Sequence, residues 1–401
     1  MSNTQKKNVP ELRFPGFEDE WEEKKLGELC EFNNGINAKK EQYGMGRKFI
    51  NVLDILNNNF ITYESIIGKV SVPENVEKNN KVEFGDLVFL RSSETREDVG
   101  LCNVYLDKNY ALYGGFIIRG KKVSDYNPIF LKEALNIPKK RYEIGSAAGG
   151  STRFNVSQDI LRKINVKFPP IKEQQKIGDL FSKLDRQIEL EEQKLELLKQ
   201  QKKGYMQKIF SQELRFKDEN GNDYPDWTNE RLGEVTTVTM GQSPKSVNYT
   251  DNSNDTVLIQ GNADIENGLI NPRIYTREVT KLIQKDEIIL TVRAPVGKLA
   301  MAQINACIGR GVCSIKGDKF LYYFLEWFAT QNKWIRFSQG STFESISGND
   351  IRNIHIKIPV EDERTKIIKL LNSLDVLNSK TDLKIQNLKQ RKQSLLQKIF
   401  V

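Results

Sequence analysis

From Ile177 onward, apolar residues recur in alternating steps of four and three. Ile177, Phe181, Leu184, Ile188, Leu195, Leu198, Tyr205 and Ile209 fill eight of ten such positions, and Glu191 and Lys202 fill the other two. A second run stands 190 residues on, where Ile367, Leu371, Leu374, Ile385, Leu388, Leu395 and Ile399 fill seven of ten, with Asn378, Thr381 and Lys392 between them. An apolar seam with a period near 3.5, flanked by Lys, Glu and Gln, is that of a helix paired in a coiled coil. Pro169-Pro170 and Pro359 stand just before the two runs, where proline ends a strand and can precede a helix. The spacing predicts a first helix from about Lys172 to Ile209, roughly 57 Å long at 1.5 Å per residue. The polar seam positions leave two readings open. Buried, Glu191, Asn378 and Thr381 would cost stability but fix register and partner; exposed, they would mark a fraying seam.

The segments ahead of these helices carry a different pattern. FGDLVFL, within Glu83 to Arg91, and KDEIIL, within Gln284 to Arg293, are short apolar runs rich in Val, Ile and Phe, with glycines punctuating the surroundings; they read as strands. Leu321 to Gln331, LYYFLEWFATQ, reads as a buried helix, and Phe130 to Ile137, FLKEALNI, as its counterpart. Each helix-ending half is thus a mixed α/β (α+β) globule followed by a long helix.

The two halves are one text written twice. WEEKKLGEL (Trp21 to Leu29) matches WTNERLGEV (Trp227 to Val235), and GSTRFNVSQDILRKINVKFPP (Gly150 to Pro170) matches GSTFESISGNDIRNIHIKIPV (Gly340 to Val360). LLKQQKKGYMQKIF (Leu197 to Phe210) matches NLKQRKQSLLQKIF (Asn387 to Phe400). The offset falls from 206 to 190, so the second copy is 16 residues shorter inside. The order is globule 1–170, helix 171–210, globule 211–360, helix 361–401. Ser211 and Gln212 alone separate the first QKIF from the second ELRF, and ELRF also stands at Glu11 to Phe14. If a pseudo-two-fold axis relates the copies, the helices run antiparallel with a globule at each end of their rod, Phe400 lies beside Glu11, and the organisation is circular.

Composition changes this picture little. A 401-residue chain with 38% hydrophobic residues is long enough for two cores. It has no apolar run of membrane-spanning length, and its polar start reads as that of a cytoplasmic protein. Cys30, Cys102, Cys307 and Cys313 lack CxxC spacing and read as buried free thiols. His355 is the only histidine, which nearly excludes His-dependent triads and multi-His metal sites. There is no GxxxxGK[ST] phosphate loop. With catalytic signatures missing, the chain reads as a binding protein without a metal or cofactor of its own. Its net charge of +8 suits an anionic partner such as nucleic acid.

Candidate contacts follow from residue type and position. RSSETRE (Arg91 to Glu97) and VRAPVGK (Val292 to Lys298) stand in equivalent places after the apolar strands and offer Arg91, Arg96, Arg293 and Lys298. Gly150 to Arg153 and Gly340 to Thr342 offer Ser151, Thr152, Arg153, Ser341 and Thr342, and GQSPKS offers Lys245. Glycine and small hydroxyl residues let backbone N–H groups approach phosphates, and arginine reads guanine edges bidentately. Ordinary turns with solvated charges are the plainer alternative.

The duplicated order resembles one known family, the specificity subunits of type I restriction-modification systems. The carriers are Trp21, Gly27 and Glu28 with Trp227, Gly233 and Glu234, the GST segments, the helix starts PPIKEQQKIGDLFSKLD and PVEDERTKIIKLLNSLD, and the QKIF ends. In the second helix start Arg364 stands where the first has glutamine. The resemblance implies that each globule is a target recognition domain reading one half of a split double-stranded DNA site. It implies that the helices are spacers that dock two modification (methyltransferase) subunits. S-adenosylmethionine, ATP and Mg would belong to partner subunits, with restriction (motor and nuclease) subunits joining through the modification subunits. Two other readings stay open: a coiled-coil adaptor joining proteins, and a self-contained DNA nuclease or methyltransferase.

Overall fold

The computed structural model describes residues 8–334 and 345–400. It forms two compact units, Met1–Glu192 with Leu383–Val401, and Gln193–Asp382. The first long helix spans Ile171–Phe210 and the second Glu361–Ile399. Each unit therefore holds one globule, the nearer half of its own long helix and a piece of the other. Among the described residues, no helix is long and apolar enough to cross a membrane.

In the first unit, Leu87–Leu90 is buried on every residue and sits inside an antiparallel four-stranded sheet. The strand order is Cys30–Asn34, Ile117–Lys122, Leu87–Leu90, Cys102–Val104. A strand buried on both faces reads as a continuous apolar run, which is what LVFL is. The expected FLKEALNI helix spans Pro128–Asn136, started by Pro128 and by the Asn127 side chain accepting from Phe130 N. A second, three-stranded sheet orders Lys69–Val70, Tyr43–Ile50, Leu112–Tyr113. The second unit repeats the first sheet as Val238–Met240, Val312–Ile315, Ile288–Thr291, Leu299–Met301. Its aromatic helix spans Lys319–Thr330.

The seam is packed rather than frayed. In the first unit Ile177, Phe181, Leu184 and Ile188 are buried, as are Ile385, Leu388 and Ile399, with Leu395 half-buried. Pairing runs antiparallel: Lys392 bonds Asp185, and Lys384, nearer the start of its helix, bonds Glu191. In the second unit Leu195, Ile209, Ile367, Leu371 and Leu374 are buried, while Leu198 and Tyr205 are half-buried. Thr381 is buried too, its hydroxyl donating to Leu377 O within its own helix.

The seam lysines have a shared role. Lys392 Nζ lies 2.7 Å from Asp185 on the facing helix and 3.3 Å from Glu133 on the globule helix. Lys202 Nζ lies 2.7 Å from both Asp375 and Glu326, its counterparts in the second unit. Each ammonium thus clamps globule to helix pair through two carboxylates. Where both carboxylates are buried, as at Lys392, removal of one partner costs about 3–5 kcal/mol. At Lys202, where both are about a third exposed, solvent screening makes it less.

Glu11 and Leu12 meet the segment from Lys398 to Phe400 as the repeat requires. Phe400 packs against Phe181, Phe130 and Trp21 at ring separations of 6.0, 5.4 and 6.3 Å, inside the first globule's core. Leu12 N donates to Lys398 O at 2.9 Å, and Glu11 pairs with Lys398. In the second unit Phe210 packs against Phe320, Phe324 and Trp327, and Leu214 N donates to Lys208 O at 3.0 Å. Arg13 clasps the buried Glu173 with two hydrogen bonds, and Arg215 clasps Glu363 in the same way. One difference stands out: Trp227 Nε1 also donates to Glu363 at 2.9 Å, while buried Trp21 Nε1 has no partner among the described residues.

Candidate nucleic-acid interface

The candidate residues sit on loops held by one main-chain frame that both units share. In the first unit, Ile36 N donates to Tyr113 O, Gly114 N to Ile50 O, Arg91 N to Phe116 O and Val156 N to Arg91 O, at 2.8–3.1 Å. In the second, Gln242 N donates to Ile308 O, Gly309 N to Ile259 O, Val292 N to Gly311 O and Ile346 N to Val292 O, at 2.7–3.0 Å. A Cβ added to Gly35 would meet Gly114 O at 2.1 Å, and one added to Gly241 would meet Gly309 O at 2.1 Å. Only glycine permits that approach of two loops.

The frame sets the register of the two segments. The segments after the apolar strands are equivalent, but their arginines are not. Arg91 matches Val292, and Arg293 matches Ser92, which pairs with Asn155 as Arg293 pairs with Ser345. A one-residue slip along an extended chain turns a side chain to the other face. Arg91 and Arg293 therefore point to opposite sides of their frames.

In the first unit the structure brings most candidates together. Pairing of Ser92–Ser93 with Phe154–Asn155 draws the two predicted segments side by side. The Arg96 guanidinium lies 4.4 Å from the Phe154 ring centre and donates to Gly145 O, and that of Arg153 lies 5.4 Å from the ring centre of exposed Phe116. Such cation–π pairs hold a charge over an apolar face without neutralising it. Arg91 donates to Gly115 O and lines an open groove of about 520 Å³ with Asn34, Asn155, Gln158 and Arg162. Ser151 and Thr152 are exposed beside Arg153. A further cavity of about 230 Å³ lies on the same loops, walled by Asn37, Tyr43, Asn51, Gly115 and Phe116. Arginine, asparagine and exposed aromatic side chains are the set that contacts phosphates, base edges and base faces.

The second unit is less gathered. Lys245 and Arg293 are exposed, whereas Lys298 Nζ is occupied by the carbonyls of Asn262 and Ile265. Ser341 and Thr342 lie outside the described residues. Sequence reading missed Arg310, exposed on the turn between Ala306–Ile308 and Val312–Ile315. It also missed Lys39, exposed just before a single 3-10 turn as Lys245 is. The glycines flanking Arg310 were the available signal.

No group of three or more His, Cys, Asp or Glu is placed to hold a metal among the described residues. The four cysteines are buried free thiols. Burial pushes Cys30 and Cys313 up to about 12, away from nucleophilic use. His355 is an exposed strand residue.

The type I restriction modification DNA specificity domain model matches residues 18–200 and again 224–390. The MjaX type I restriction enzyme specificity subunit of Methanocaldococcus jannaschii is 26% identical over 382 residues, 90% of this chain and 88% of that one. The MjaVIII specificity subunit of the same organism is 23% identical, over 92% and 89%. In fold, the chain is similar to the S subunit of a type I restriction-modification system from M. genitalium, with a TM-score of 0.63 at 16% identity, over 98% and 99% of the two chains. The chain belongs to the type I restriction modification DNA specificity domain family, carries two copies of that domain in tandem, and is a specificity subunit rather than a catalyst.

Proposed function

We propose that each unit reads one half of an asymmetric, bipartite double-stranded DNA site on behalf of a type I restriction-modification complex. The observation that carries this reading is the pair of unlike loop sets mounted on one repeated main-chain frame. Equal frames give two equivalent modules; unlike side chains give two unlike half-sites. The long helices fix the number of unread base pairs, as rigid dimer geometry fixes half-site spacing in other DNA readers. They also dock two modification subunits, and restriction subunits join through these. S-adenosylmethionine, ATP and Mg belong to those partners. Arg91, Arg96, Arg153, Ser151, Thr152, Lys245 and Arg293 are the candidate DNA contacts, and a cytoplasmic setting follows from the substrate.

The test compares methylation maps of DNA from cells that have the cognate modification subunit with and without this chain. A new motif with two unlike halves and a constant gap is the expected result. Absence of new methylation, although the modification subunit binds, would favour the protein adaptor instead.

A further inference from the structure

The two units share their frame and differ in what stands on it, so the positions of difference locate the selectivity. Aligned by hydrogen bonds, Gly114, Gly115 and Phe116 match Gly309, Arg310 and Gly311. Next to each turn is an amide residue placed alike: Asn51 N donates to Asp54, and Gln260 N donates to Asp264. The arginine arrives differently. In the first unit Arg91 reaches over from the neighbouring strand end to donate to Gly115 O; in the second, Arg310 stands at the position of Gly115 itself, and Val292 replaces Arg91.

Among the described residues, neither the Arg310 nor the Gln260 side chain makes a hydrogen bond or ion pair. Arg310 is exposed, and its backbone N–H donates to Ser243 Oγ. Gln260 Nε2 has no partner among the described residues, an uncommon state for a buried amide nitrogen that contributes only to folding. An arginine fork beside a primary amide is the pairing that distinguishes guanine from adenine in the major groove.

We infer that the turn Gly309–Gly311 with Gln260, and the turn Gly114–Phe116 with Asn51 and Arg91, are the base-reading positions of the two units. Arg310 and Arg91 read guanine in unlike half-sites, and Phe116 meets a base face or a thymine methyl. Asn51, whose Nδ2 also donates to Phe49 O at 3.2 Å, reads adenine. Gln260, whose Nε2 is enclosed, positions the turn that carries Arg310. This rests on the proposed DNA-reading function and assigns it to residues.

The experiment uses the full chain with its cognate modification subunits and a duplex library with both half-sites randomised, read by sequencing the methylated products. Arg310→Ala and Arg310→Lys should each relax one guanine position in one half-site, lowering discrimination there about 5- to 150-fold, the equivalent of about 1–3 kcal/mol. Gln260→Ala should relax the same position, and Phe116→Ala a position of the other half. The untouched half is an internal control for folding. Unchanged motifs in all four variants would overturn the assignment. So would a loss equal for every sequence in Arg310→Ala that Arg310→Lys restores, because that is a phosphate contact. A wild-type complex without any two-part motif would defeat the proposed function itself, before any substitution is made.

Discussion

Glu133 and Glu326 hold the same place in their units, yet they titrate in opposite directions. Burial works against ionisation at Glu133, but Lys132 and Lys392 outweigh it and hold the carboxyl below its ordinary 4.5. At Glu326 burial prevails over Lys202, and the pKa rises. A lowered folded value means that stability is present above the unfolded pKa and is lost as pH falls through the folded one; a raised value means that acid relieves a cost. As pH falls below about 4.5, hydrogen exchange should therefore rise in the first unit at this clamp, whereas the second gains its relief as pH falls toward 4.5 and shows no such rise. Glu133→Gln should abolish that response, and an equal response in both units would refute the contrast between the two carboxyls. Lys392→Ala, which strips Asp185 of its countercharge, should cost about 3–5 kcal/mol, read by urea unfolding. At this scale the sequence was only partly legible. Lys202 and Lys392 appear as interruptions of a heptad, and nothing local says that each is neutralised by a distant globule helix. Lys298 and Arg310 look alike as loop cations; only the fold reveals that carbonyls occupy one and leave the other exposed.

Among the elements, the long helices were the easiest to foresee, because little besides a paired helix sustains a 3.5-residue apolar period for ten steps. The seam positions are buried or half-buried throughout, and the helix ends fall within a residue or two of the proline signals. Strands such as Lys69–Val70 and Leu112–Tyr113 were not legible. Two residues are too few to show alternation, and they are strands only through partners far along the chain. The last turn of the second helix gives a prediction at this scale. Phe400→Ala empties a site inside the first globule's aromatic cluster and should cost that unit about 3–5 kcal/mol. The second unit should keep its hydrogen-exchange protection, since Phe210 fills the equivalent place there. Equal loss in both units would contradict the assignment of Phe400 to the first core.

For the whole molecule, the repeat made closure of the chain foreseeable. Lys398 O receives Leu12 N as Lys208 O receives Leu214 N, so the two joints are equivalent. The intact joint shows what a bridge requires. Ser211 and Gln212 span it, and Gln212 adopts φ 63°, a left-handed conformation that glycine takes without strain. A permuted chain that starts at Glu213, links Phe400 to Glu11 by Ser-Gly and ends at Phe210 should fold and produce the same methylation motif. Loss of folding in that permutant, with the parent intact, would count against closure.

The same joint sets an order in time. The second unit, Gln193–Asp382, is one unbroken stretch of chain. The first unit needs Phe400, which is made only after the whole second unit. At about 5–20 residues per second, the globule synthesised first waits roughly 10–50 s for the piece that completes its core. During that interval its aromatic cluster is open, so the domain born first is finished last. A stop codon placed just ahead of Phe400 would therefore harm the first unit, whose globule lies far upstream, rather than the second unit beside it in sequence.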